Sequence, residues 1–74
     1  MKYGILIFNA ATERLDVSFH NGTSLGGLHC GDCIDVCIDG KYVRARIEYS
    51  DDWYLYGLFS AGNIPVDLKV RVYD

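Results

Sequence analysis

Long apolar runs are missing from this sequence. The longest, Ile5 to Phe8, has the length of a strand and falls far short of the roughly 20 residues that cross a bilayer. Only Lys2 supplies charge ahead of it and no small-residue cleavage site follows, so no secretory signal is expected and the chain is assigned to the cytoplasm. Basic residues are scarce as well. Seven Lys and Arg stand against ten Asp and Glu, a formal net charge of -3. Dedicated nucleic-acid binders draw most of their affinity from excess Lys and Arg, so this balance argues against such a role while leaving room for a local basic patch. An even, dispersed set of cysteines is absent too. Cys30, Cys33 and Cys37 are an odd number packed into one short segment, which reads as free, semi-buried thiols in a reducing compartment rather than a disulfide framework. No stretch carries a helical period, and there is no linker, repeat or low-complexity tract.

What is present is alternation. Leu15, Val17 and Phe19 alternate with Asp16, Ser18 and His20; Ile34, Val36 and Ile38 with Cys33, Asp35 and Cys37; Val43, Ala45 and Ile47 with Arg44, Arg46 and Glu48; Val70 and Val72 with Lys69, Arg71 and Tyr73. A period of two means strands with one buried and one wet face. Tyr3 to Phe8 is apolar on both faces and is expected to form an earlier strand. One tryptophan, six tyrosines and three phenylalanines supply enough bulk for a core in a chain of 74 residues without metal or disulfide staples.

The turns agree with the strands. Asp39-Gly40 separates two alternating runs by two residues, the signature of a type I′ hairpin, and this pairs Val36 with Val43 and Ile34 with Ala45. Core positions then switch from even to odd across the turn, as the alternation itself does. Ser50-Asp51-Asp52 closes the next hairpin, pairing Ile47 with Leu55 and Tyr49 with Trp53 on the core side. Asn9 to Glu13 and His20-Asn21-Gly22 mark two further turns, and longer connections run over 23–32 and 60–67. Residues 1–74 therefore read as one all-β domain, an antiparallel meander of five to six strands closed or half-closed into an SH3-like barrel; a flat sheet packed in a dimer is the alternative.

Several segments invite a chemical reading. His29-Cys30-Gly31-Asp32-Cys33, with Cys37 and His20, suggests a zinc knuckle, but tetrahedral zinc needs four ligands converging within about 2.3 Å of the ion. Cys33 and Cys37 on one strand lie roughly 13 Å apart at about 3.3 Å per residue, so no metal site is assigned. His29 beside Cys30 is no evidence for a thiol nucleophile, which needs a base and an oxyanion hole assembled in space. Gly26-Gly27 is not followed by the helix that a phosphate loop requires. A chain this short also leaves little room for a deep cleft, and neither enzymatic activity nor a cofactor is expected.

The registers derived above place one set of residues together. Cys33, Asp35 and Cys37, then Tyr42, Arg44, Arg46 and Glu48, then Tyr54 and Tyr56 face outward on three neighbouring strands, with Asp35 opposite Arg44, Arg46 opposite Tyr56 and Glu48 opposite Tyr54. Ordinary cross-strand pairing accounts for such neighbours at a few tenths to about 1 kcal/mol each. Tyr and Arg are also the residues that dominate interaction hot spots, and the same pair can stack on unpaired bases. Tyr42, Arg44, Arg46, Tyr54 and Tyr56 are accordingly the candidate binding residues, for a protein partner first and single-stranded nucleic acid second. A third reading is a structural homodimer formed by pairing an open sheet edge, with Lys69 to Tyr73 as that edge.

The segment Gly26-Gly27-Leu28-His29-Cys30-Gly31-Asp32, the following stretch from Asp35 to Glu48, and Asp52-Trp53-Tyr54-Leu55-Tyr56-Gly57 together resemble a family of short bacterial domains of unknown function, found in Gram-positive bacteria and their mobile elements. The resemblance covers residues 4 to 58 well and the tail poorly. It implies no activity; it implies that Leu28, His29, Cys30, Gly31 and Trp53 belong to a recurring motif, and that Cys33 and Cys37 are departures from it.

Overall fold

A computed structural model describes residues 1–73. It holds six strands: β1 (Lys2–Asn9), β2 (Arg14–Ser18), β3 (Cys33–Ile38), β4 (Lys41–Ser50), β5 (Asp52–Tyr56) and β6 (Lys69–Val72). They form one antiparallel sheet in the order β2-β1-β6-β3-β4-β5. The sheet curls into a half-barrel, and no helix occurs among the described residues.

Both hairpin registers follow from the alternation. Val36 lies opposite Val43 and Ile34 opposite Ala45. Ile47 lies opposite Leu55 and Tyr49 opposite Trp53. Asp39 and Gly40 take φ of 50° and 81°, the double left-handed pair that a type I′ turn needs and that Asp and Gly tolerate best. The core fills the concave side with Leu6, Leu15, Val17, Leu28, Ile34, Val36, Ala45, Ile47, Trp53, Leu55, Leu68, Val70 and Val72.

One departure from a strict meander changes the architecture. The last strand does not follow its neighbour in sequence; it crosses back and inserts between β1 and β3. Lys69 to Tyr73 is therefore not a free edge: Val70 pairs with Gly4 on one side and Val36 on the other. The real edges are β2 and β5, and the chain blunts both. Leu25 and Leu28 donate their backbone N–H groups to Val17 and Leu15 of β2. Phe59 folds back on Leu55 of β5, and the Asp52 carboxylate accepts from the Trp53 N–H. Such cover removes the template for edge pairing.

Three side chains expected to be wet or apolar-facing behave otherwise. Asp16, on the polar side of its alternation, is buried because the 23–28 segment lies across it, and its Oδ1 accepts from the Val17 and Gly26 N–H groups at 2.8 and 3.1 Å. Val43 and Tyr49, on the core side of β4, are exposed on either side of the buried Ala45 and Ile47. Gly4 marks where β1 and β2 crowd: a Cβ there would sit 2.5 Å from the Ser18 carbonyl oxygen and 2.9 Å from Val17 Cγ1.

Candidate functional site

The outward face carries a lattice of arginines and tyrosines around one buried carboxylate. Asp35 sits mid-strand on β3 with its side chain only 5% exposed. Three side chains pair with it there. Arg71 Nε donates to Oδ2 at 2.8 Å, Arg44 Nε to Oδ1 at 3.0 Å, and the Tyr73 hydroxyl to Oδ2 at 2.9 Å. Hydrogen bonding from Arg71 is the largest influence on its acidity and holds the carboxyl at about 2, below the usual 3.8; burial works against this, and Tyr73 and Arg44 add to it. The same contacts raise the pKa of Arg44 and of Arg71, in each case through Asp35 first.

Around this centre each arginine lies over an aromatic ring. Arg46 is 4.3 Å from the centroid of Tyr56, Arg71 is 4.6 Å from Tyr42, and Arg44 is 5.3 Å from Tyr73. Arg46 also pairs with Glu48 at 2.6 Å. Tyr42 meets Tyr3 edge to face at 5.7 Å, extending the lattice onto β1. All five residues proposed from the sequence thus fall on one face. Tyr42, Arg44, Arg46 and Tyr56 are tied into the lattice, whereas Tyr54 is half-buried opposite Glu48. Sequence reasoning missed Tyr3, Arg71 and Tyr73. The alternation around Val70 and Val72 already put Arg71 and Tyr73 on a wet face, but nothing local to the sequence brings β6 beside β3.

The motif residues divide into two groups. Leu28 is buried and its N–H donates to Leu15; the Gly31 N–H donates to Ile47; the Trp53 indole donates Nε1–H to the Glu13 carbonyl at 3.1 Å. Those three hold the two ends of the curled sheet together. His29 and Cys30 are exposed; His29 donates its backbone N–H to Asp32 Oδ2 at 2.8 Å and accepts from the Asp32 N–H at 3.0 Å. The thiols correct the semi-buried expectation: Cys30 and Cys33 are exposed and only Cys37 is half-buried. Among the described residues no cluster of three or more His, Cys, Asp or Glu is placed to hold a metal ion.

Cys30 and Trp53 also line a groove of about 650 Å³ at the seam where the turn after β1 meets the start of β5, with Phe8, Glu13, Arg14, Tyr49 and Asp52. Phe8 and Tyr49 are each more than half exposed there. No helix among the described residues is long and apolar enough to cross a membrane.

Fold and face together define a class: a half-barrel β domain of fewer than eighty residues with an ordered Tyr/Arg outer surface. The chain belongs to the family described as Domain of unknown function (DUF5348), whose model matches residues 4–72. The match takes in β6 as well, so the family likeness runs through the tail that the motif comparison covered poorly. The fold is similar to the crystal structure of a protein from Ruminococcus gnavus, Northeast Structural Genomics Consortium target UgR76. That chain is 41% identical, with a TM-score of 0.84 over 96% of this chain and 100% of the other. Among curated proteins, none matches at a significant level.

Proposed function

We propose that this domain is a non-catalytic, cytoplasmic interaction module that binds an acidic surface of a partner protein through its Tyr/Arg face. The observation that carries this reading is charge placement. The chain is acidic overall, yet Arg44, Arg46, Arg71 and Lys69 gather on the outward face around Asp35, with Glu48 beside Arg46. Exposed rings of Tyr3, Tyr56 and Tyr73 lie among those cations. Tyr and Arg in a fixed geometry lose little side-chain entropy on binding, which is what an interaction hot spot requires. Single-stranded nucleic acid is the second reading, supported by the Arg46–Tyr56 stack as a platform for a base.

The test is affinity capture from the native cell with the wild-type domain and with Arg46→Ala/Tyr56→Ala, both exposed positions. Removing two hot-spot side chains weakens binding by about 30-fold or more, so the specific partner is lost from the variant. A companion titration with a short single-stranded oligonucleotide separates the readings. Phosphate-driven affinity falls steeply with salt, and a salt-sensitive shift of Tyr42, Arg44 and Arg46 amides with no variant-dependent protein capture overturns the protein reading.

A further inference from the structure

The seam groove combines aromatic walls with two acidic residues, where the Tyr/Arg face gathers arginines. Phe8 and Tyr49 stand exposed as its walls. Trp53 forms the floor, meeting Tyr49 edge to face with centroids 5.0 Å apart and an interplanar angle of 66°. Its indole N–H is committed to the Glu13 carbonyl and the residue is buried, so the ring is a fixed floor with no donor to offer. Glu13 and Asp52 line the groove as its two acidic residues, and one Asp52 oxygen accepts from the Trp53 N–H. The ring already accepts a cation from within the chain, since the Arg14 guanidinium lies 6.0 Å from its centroid.

We infer that this groove is a second binding site, one that takes the cationic side chain of a lysine-bearing peptide segment between Phe8 and Tyr49, with its ammonium against Glu13 and Asp52. The argument is charge complementarity. Two carboxylates outnumber the one arginine of the groove, so a further cation is favoured there and an anion is repelled. Aromatic faces attract an ammonium through their quadrupole, by an amount worth roughly 2- to 30-fold in affinity. The site does not depend on the Tyr/Arg face, and a partner could engage one without the other.

The experiment uses the isotope-labelled domain and three peptides of about nine Gly and Ser residues with a central lysine, norleucine or glutamate. Trp53 is the only tryptophan, so its indole N–H resonance and fluorescence report on this groove alone. The lysine peptide is expected to shift the Trp53, Tyr49 and Asp52 signals, with the norleucine peptide at least about tenfold weaker and the glutamate peptide inert. Phe8→Ala, at an exposed position, should weaken the lysine peptide by about tenfold, and Glu13→Gln by about threefold while leaving the spectrum of the free domain intact. Equal binding of lysine and norleucine peptides, shifts confined to Tyr42, Arg46 and Tyr56, or no shift at millimolar lysine peptide would each overturn the inference.

Discussion

Asp35 shows how one residue joins stability to the candidate surface. Its carboxylate fixes two guanidinium groups and a phenol, and so sets the geometry of the face. With the folded pKa lowered from 3.8 to about 2, its contribution is complete above the unfolded value and is lost as pH falls through the folded one. That difference corresponds to about 2 kcal/mol, and the side chain is buried enough for no large solvent discount. Urea unfolding at pH 7, 5, 3 and 2 should therefore show wild type losing about 2 kcal/mol more than Asp35→Asn across the acid range. At pH 7 the variant should be less stable by about 2–3 kcal/mol, because Arg71 and Arg44 lose their ionic acceptor. Parallel acid curves for the two proteins would assign the network no role in stability.

Among the elements, β6 carries the most. It contributes Leu68, Val70 and Val72 to the core through its strand and approach, and it bridges the β2-β1 pair to the β3-β4-β5 hairpins. Without it the sheet is two pieces with newly opened inner edges, each too small to bury a core. A chain shortened to residues 1–67 is expected to give a collapsed amide spectrum and no cooperative unfolding transition. A dispersed spectrum from it would mean that β1 can pair directly with β3. The hairpins β3-β4 and β4-β5 were fully legible in the sequence, because two-residue turn chemistry and period-two alternation each fix the same register. The β6 pairing was not, because a connection over 60–67 imposes no register and leaves the choice of neighbour to the core.

At the scale of the molecule, two edges that a flat sheet would leave open are closed by the chain itself, one by 23–28 and the other by 57–59. Edge-to-edge dimerisation thus has no ready template, and light scattering across a hundredfold range of concentration should return a monomer mass throughout. A concentration-dependent dimer would point to association through a face, and variants at Tyr56 or Phe8 would say which. Curling of the sheet also separates the two candidate surfaces. Cationic tyrosine-rich positions lie on the convex outside, and the acidic aromatic groove lies at the seam.

Alternation and turn chemistry are enough to specify the all-β class, the alternating core, the two consecutive hairpins and five of the residues on the outward face, since each depends on neighbours within a strand or across a short turn. Tertiary structure alone decided the place of β6, the burial of Asp16 beneath the 23–28 segment, the pairing of Asp35 with Arg71 and Tyr73, and the meeting of Trp53 with Glu13. Those contacts join residues 10 to 40 positions apart. Only closure of one shared core sets such distances, and no local pattern of residues encodes them.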